Sequence, residues 1–311
     1  MKMTLFFKIA AIVFIIVLFM ILVLRLIIKK LLSDHRFFAI VSKKFYNYFY
    51  SIRKIQHLRA NNFGYAPIDE DIAVYDPDHQ YGIQLYKELV KNHNGFLINE
   101  NSSVAEVGCG KGAGAEYLIK KLEPKKYTGI DYSEKAIDFC ANTYRHIKNA
   151  EFVCADALEL PFSDNSFDVV LNVESSHLYK DLKKFFAEVH RILKPNGKFL
   201  FTDFRYVKNY SIDALEEQIA ESGFSATEKR IITPMVLNSC RLASDRREKL
   251  VQEVIPRYLQ RYFRHYAIIN GTKKFIMLGN GEIIYFMYHL EKNKPGQYKN
   301  VDKVPRMLKM I

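Results

Sequence analysis

Val104-Ala-Glu-Val-Gly-Cys-Gly-Lys-Gly-Ala-Gly114 joins an apolar, strand-like segment to alternating glycines and then to a helix-forming stretch. Glycines at 108, 110 and 112 let the backbone adopt positive φ and let a ligand come close to the main chain. A strand that ends in such a turn and opens a helix is the nucleotide-binding end of a parallel α/β unit. The glycines alone do not choose the nucleotide, because dinucleotide sites share a related spacing, with a later acid on the ribose. Asp131 is that acid here, at the end of the second apolar segment. A carboxylate there accepts from ribose hydroxyls and so points to an adenosine ligand. Its competing reading is a cap on the helix that follows Ser133.

Two further acids separate the possibilities. Glu106 lies before the first glycine, where a methionine-bearing ligand presents its ammonium and a pyrophosphate would be repelled. Asp156, in Phe152-Val-Cys-Ala-Asp-Ala157, follows the third apolar segment, where an adenine amino group can donate to it. Leu160-Pro-Phe162, Ser166-Phe-Asp-Val-Val170 and Leu193-Lys-Pro-Asn-Gly197 come next. In this order, the stretch from Val104 to Phe204 resembles the class I S-adenosylmethionine-dependent methyltransferases. The resemblance implies S-adenosylmethionine as methyl donor, with no metal. It places Glu106, Gly108, Cys109, Gly110, Gly112, Asp131, Tyr132, Asp156, Ala157 and Asn172 around that donor.

Periodicity agrees with an α/β fold. A helix is expected over His79–His93, ended by Gly95, followed by alternating elements. Strands are expected at Ser103–Val107, Tyr127–Ile130, Glu151–Cys154, Phe167–Asn172 and Lys198–Thr202. Helices are expected at Ala113–Leu122, Glu134–Tyr144 and Asp181–Leu193. Strands separated by helices of this length form parallel βαβ units. Later come a helix at Ile212–Ser222, a strand at Thr227–Ile232, helical residues 235–269 and a last strand at Ile283–Leu290. The expectation is a Rossmann-like, seven-stranded class I methyltransferase fold in residues 76–291. A helical substrate cap of about 235–282 precedes its last strand, and a polar tail occupies 292–311.

A closer resemblance begins at Leu171-Asn-Val-Glu-Ser-Ser-His-Leu-Tyr179. With Asn61-Asn-Phe-Gly-Tyr65 and the region from Gly271 to Tyr288, it is similar to the phthiotriolone/phenolphthiotriolone dimycocerosate O-methyltransferases. That kinship implies a lipid-borne hydroxyl as acceptor and puts His177 and Asp203 at the catalytic positions. A hydroxyl is a poor nucleophile until its proton is removed, and histidine is suited to remove it near neutral pH. Asp203 would orient the imidazole or bind the acceptor. The bland alternatives are a histidine that merely lines the pocket and a loop-capping aspartate. Glu174 has no assigned role at this level. His79, His93 and His146 read as surface residues, and His265 as packing.

Charge and hydropathy describe the amino-terminal part. Residues 1–60 hold eleven Lys/Arg and one acid, a net +10 of the chain's +12, which leaves +2 for residues 61–311. A nearly neutral main domain gives no basic groove for nucleic acid. Ile9 to Leu24 carries no charge, and Leu5 to Ile28 is broken only by Lys8 and Arg25. A bilayer core takes about 20 apolar residues as helix, and long basic side chains near the ends can reach the headgroups. Residues 1–32 are therefore expected to form a transmembrane helix. The greater basic charge downstream places the main domain on the cytosolic side of the membrane. Residues 33–75 are read as a basic, aromatic juxtamembrane segment, either interfacial or packed on the domain. The four cysteines show no metal spacing, and reduced thiols fit a cytosolic face.

These features lead to a membrane-anchored O-methyltransferase of an apolar, lipid-like or polyketide-like alcohol or phenol. Two other reactions stay open, C-methylation of a sterol or quinone and N-methylation of an amine headgroup. A donor-binding assembly factor is the alternative from outside enzymology, and a nicotinamide dehydrogenase is the remaining enzyme class.

Overall fold

The computed structural model describes residues 59–68, 80–208 and 210–293, together with Met20 and seven positions between Lys43 and Ser51. The chain divides into two compact units, residues 1–49 and 50–311. The expected anchor over 1–32, most of the juxtamembrane segment and nearly all of the polar tail lie outside the described residues. Among the described residues, no helix is long and apolar enough to cross a membrane.

The second unit is built on a seven-stranded sheet. Its strands are β1 (Ser103–Val107), β2 (Lys126–Asp131), β3 (Ala150–Cys154), β4 (Phe167–Val173), β5 (Leu193–Tyr206), β6 (Phe224–Ile231) and β7 (Ile283–Lys292). Their spatial order is β3-β2-β1-β4-β5-β7-β6. The first five are parallel, and β7 inserts antiparallel between β5 and β6. The order reverses at β1, so the chain leaves β1 and β4 in opposite lateral directions. A crevice opens there, at the carboxyl ends of the strands, where open α/β sheets bind ligands.

Both faces of the sheet are covered, which is why its strands are apolar in near-continuous runs. Val104, Val169, Leu171, Leu200 and Phe204 pack on one side with Leu85 and Leu89 of helix α1 (Gln80–Leu89) and Leu118 of α2 (Ala113–Leu122). Ala105, Val107, Val170, Phe199 and Phe201 face the other side. They meet Phe185, Phe186 and Val189 of α4 (Leu182–Ile192) and Leu215 of α5 (Ile212–Glu221). Helix α3 (Glu134–Thr143) is capped by Ser133, whose Oγ accepts from the Ala136 N–H. The cap comprises α6 (Thr233–Leu242), α7 (Ser244–Val254), α8 (Arg257–Tyr266) and α9 (Lys273–Gly279).

Three expected elements differ in extent. The helix expected over His79–His93 is described from Gln80, His79 lying outside the described residues, and stops at Leu89. A two-residue hairpin follows, pairing Lys91–Asn92 with Gly95–Phe96. Asn92 Oδ1 accepts from the Asn94 N–H at 2.9 Å and Gly95 takes φ +114°, so local turn chemistry ends the helix early. The fifth strand runs to Tyr206 rather than Thr202, because β7 pairs with it from Lys198 to Tyr206. The sixth starts at Phe224 and carries a bulge between Ala226 and Glu228.

Candidate active site

The glycine loop leaves β1 with Gly108, Gly110 and Gly112 at φ of +80°, +53° and +72°. At Gly108 space is also decisive, since a Cβ there would stand 2.3 Å from Ser175 Oγ. Asp131, at the tip of β2, accepts from the Gly110 N–H at 2.9 Å and from the Ser133 N–H at 2.8 Å. The carboxylate thus braces both the loop and Ser133, the residue that caps α3. Burial pushes its pKa up, against the pull of these backbone N–H groups. Tyr132 beside it is exposed.

Asp156 is exposed after β3 and accepts from the Leu158 N–H at 2.9 Å, while Ala157 is buried. Asn172, near the end of β4, is fully buried. Its Nδ2 donates to Val107 O at 2.8 Å, which fixes the end of β4 against the end of β1. Its Oδ1 is a buried acceptor without a partner among the described residues. Cys109 is buried beside the loop, and the Cys140 thiol donates to Gly110 O at 3.3 Å.

Glu106 is wholly buried under the loop, and its two oxygens accept from the hydroxyls of Tyr86 (2.6 Å) and Tyr127. Burial lifts its carboxyl to about 7, against the two tyrosine hydrogen bonds. A carboxyl engaged in this way props the loop from below.

The other half of the site is the turn after β4. Ser176, His177 and Leu178 form a single 3₁₀ turn. Asp203, fully buried on β5, accepts from His177 Nδ1 at 2.9 Å, the His177 N–H at 2.9 Å, Ser176 Oγ at 2.5 Å and the Phe204 N–H at 2.8 Å. Arg205 Nη1 lies 3.3 Å from it. Burial alone would raise this carboxyl, but His177, Arg205 and the donated hydrogen bonds together hold it far below the usual carboxylate range. An anionic Asp203 keeps a proton on Nδ1, which leaves the Nε2 lone pair for a substrate. The imidazole is 22% exposed and packs on Phe204 with ring centroids 4.4 Å apart.

Nucleotide loop, ribose acid and a held imidazole thus meet at one sheet edge. A methyltransferase-domain family model matches residues 105–201. A fatty-acid O-methyltransferase of Mycolicibacterium smegmatis is 38% identical over 209 residues, covering 66% of this chain and 74% of that protein. The chain belongs to the S-adenosylmethionine-dependent methyltransferases. A phthiotriol/phenolphthiotriol dimycocerosates methyltransferase of Mycobacterium tuberculosis is 35% identical over 227 residues, 73% of this methyltransferase and 82% of the relative. The cyclopropane synthase MmaA2 of the same organism shares the fold, with TM-score 0.64 at 16% identity, over 78% of this chain and 95% of its own.

The residues of the methyltransferase fit the donor of its family. The φ-positive glycines, the braced Asp131 and the orphaned Asn172 Oδ1 together offer a cradle, a ribose acceptor and a buried acceptor for an ammonium. Among the described residues no cluster of His, Cys, Asp and Glu is arranged to hold a metal ion.

Several residues around the site gain a role only in the structure. Tyr50 is buried over the loop, where a Cβ on Gly110 would stand 3.2 Å from its hydroxyl. Arg205 donates to Ser176 Oγ at 2.8 Å and so tightens the turn that carries His177. Phe63 stacks on Phe204 at 5.0 Å, and its N–H donates to Glu174 Oε2 at 2.8 Å. Tyr285 from β7 donates to the same oxygen at 2.7 Å. Glu174 is held at φ +48°, an uncommon backbone state for a side-chain-bearing residue. Loss of solvent pushes its carboxyl up to about 8, against the hydrogen bonds from Tyr285 and Phe63. The bonds from Phe63 and Tyr285 to Glu174 each span 111 residues, so no local pattern could reveal them.

Proposed function

We propose that this methyltransferase moves the methyl group of S-adenosylmethionine to a hydroxyl of an apolar, lipid-like or polyketide-like acceptor. The observation that carries the reading is the hydrogen bond from His177 Nδ1 to Asp203, which leaves Nε2 as a base on the turn beside the glycine loop. The bound donor supplies an electrophilic methyl carbon. His177 takes the hydroxyl proton at Nε2, and Asp203 holds the imidazole in the tautomer that can accept it. The apolar surroundings of His177, with a partly buried Phe63 packed on Phe204 and Tyr285, suit an apolar acceptor, and positioning by them and by the cap supplies much of the remaining acceleration. Two relatives bear names that refer to lipids, a fatty acid and the dimycocerosates, which supports a lipidic substrate.

The same reading includes a membrane location, with residues 1–32 as a single-pass anchor and the catalytic unit in the cytosol. The uncharged run from Ile9 to Leu24 and the basic residues after it support this arrangement. So does α8, which buries none of its residues and leaves Tyr258 at 84% and Tyr262 at 58% exposure beside exposed Arg257 and Arg261. Such a mixed aromatic and basic face suits a lipid headgroup layer.

The test is transfer of a labelled methyl group to a hydroxyl-bearing lipid extract by wild type and His177→Gln. His177→Gln should lose about a hundredfold or more of turnover, the typical contribution of a general base, with donor affinity nearly intact. Turnover that survives the change overturns the base assignment. Label found on carbon or nitrogen overturns hydroxyl transfer, and donor binding without transfer to any lipid favours a donor-binding assembly role.

A further inference from the structure

Helix α9 contributes a side chain that neither the motifs nor the proposed base chemistry uses. Lys274 is half-buried, and its Nζ lies 4.6 Å from the ring centroids of both Phe63 and Phe204. Phe204 is the ring on which His177 packs. The ammonium therefore shares an aromatic wall with the imidazole. Among the described residues no hydrogen bond or ion pair reaches it, only the two ring faces. Ring faces attract a cation electrostatically but accept none of its three N–H bonds in the way an oxygen does.

Withdrawing an ammonium from water without an oxygen partner is costly. Consistently, burial lowers the Lys274 pKa, opposed by the charges of Glu174, Cys240 and Asp203. The groups that face it are Glu174 after β4, Asp203 on β5, Cys240 on α6 and His265 on α8, whose Nδ1 accepts from the Lys274 backbone N–H at 3.3 Å. Asp203 is already committed to His177, Ser176 and Arg205. Glu174 is committed to Phe63 and Tyr285. What the ammonium lacks among the described residues is an oxygen partner, on the aromatic wall it shares with the imidazole.

We propose that Lys274 is a catalytic residue that binds the hydroxyl oxygen of the acceptor and stabilises the negative charge that loss of its proton leaves there. The inference rests on the O-methyl transfer proposed above. As the acceptor oxygen bonds to the methyl carbon, the carbon–sulfur bond breaks and leaves its electron pair on sulfur. For a hydroxyl acceptor the proton goes to His177 Nε2, and Lys274 offsets the charge that builds on oxygen. A carboxylate arrives already anionic and loses that charge as the methyl bonds, so with a fatty acid Lys274 binds the substrate without speeding the step, and no base is needed. Preorganised charge of this kind, aimed at a developing oxyanion in a site shielded from water, is worth far more than in bulk solvent.

The experiment compares full-length wild type, Lys274→Met, Lys274→Arg and His177→Gln on two acceptors, a long-chain alcohol and a long-chain fatty acid, with donor affinity measured in parallel. On the alcohol, Lys274→Met should lower kcat by about a hundredfold, the scale of a lost oxyanion donor, and leave donor Kd within about twofold; on the fatty acid it should raise KM rather than lower kcat. His177→Gln should impair the alcohol reaction and spare the fatty-acid reaction. Lys274→Arg stays charged at high pH, so its kcat should fall at a more alkaline pH than wild type. Should Lys274→Met not fold, this alkaline limb decides. A Lys274→Met enzyme within about fivefold of wild type on the alcohol, or an alkaline limb unmoved in Lys274→Arg, overturns the proposal. If that happens while His177→Gln is inactive on the alcohol, only the lysine assignment falls. If wild type places the methyl group on the oxygen of neither acceptor, the O-methyl transfer reading falls as well.

Discussion

Replacing Asp203 by Asn tests the site at its most connected point. The carboxylate accepts four hydrogen bonds, from two backbone N–H groups, Ser176 Oγ and His177 Nδ1, and it faces the Arg205 guanidinium. An amide of the same shape has one acceptor oxygen and one donor nitrogen, so at least one present donor meets another donor. If the Asn NH₂ faces His177, the ring proton moves to Nε2 and the base is blocked. General-base catalysis contributes about a hundredfold to ten-thousandfold, so kcat should fall by roughly a thousandfold, or about 4 kcal/mol of barrier. Removing one partner of a buried charge pair also costs about 3–5 kcal/mol of stability. At roughly 2–4 °C per kcal/mol for a chain of this size, Tm should fall on the order of 10 °C. The pH dependence has a definite sign. Asp203 is held below its ordinary range, so its contribution is present above the unfolded carboxylate pKa and is lost as pH falls through the lower folded value. Wild type should therefore lose its stability advantage over Asp203→Asn only in acid. The assay combines kcat on a hydroxyl acceptor, donor Kd by calorimetry and Tm from pH 2 to 8. A variant that binds donor and keeps turnover within about tenfold refutes the orienting role, and an unchanged Tm refutes the buried ion pair.

Other perturbations should act more locally. Gly110→Ala places a Cβ at φ +53° and 3.2 Å from the Tyr50 hydroxyl, so it should cost about 1–2 kcal/mol of backbone strain and weaken donor binding in a titration. Glu106, raised to about 7, favours the folded state when protonated. That contribution is complete below the unfolded carboxylate pKa and is lost as pH rises through about 7. Glu106→Gln should therefore flatten the decline of Tm between pH 5 and 8, and an unaltered slope would exclude a buried protonated carboxyl. The chain has no tryptophan, so Tyr262→Trp gives a single reporter on α8. Its fluorescence should be quenched by vesicles of brominated anionic lipid, whereas Phe96→Trp on the hairpin should not respond; equal quenching at both sites would dismiss a membrane-facing α8.

The order of elements and the donor loop were legible because both depend on neighbouring residues. A glycine spacing, a strand period of two and a helix period near 3.6 are local properties. The expected bounds Ser103–Val107 and Ala113–Leu122 coincide with β1 and α2. Extents were less legible where a partner set them, as for β5, whose last residues are strand because β7 runs beside them. Among the site residues, Asp131 and the glycines stand in one local unit and meet through the Gly110 N–H. His177 and Asp203 were nominated by kinship and chemistry, but their 2.9 Å contact depends on β4 and β5 being neighbours.

Sequence by itself determined that an adenosine-type ligand sits on a parallel α/β sheet, because glycines before a helix and acids at strand ends admit few other meanings. Tertiary structure alone decided what each acid does. Glu106 and Asp131 are both acids at strand ends, yet packing puts one under two tyrosine hydroxyls and the other against the loop N–H groups. Only the folded chain brings Phe63, Glu174, Phe204, Lys274 and Tyr285 into one wall beside His177. A charge acquires a catalytic meaning from the solvent it has lost and the partners it has gained, and neither is written in the residues on either side of it.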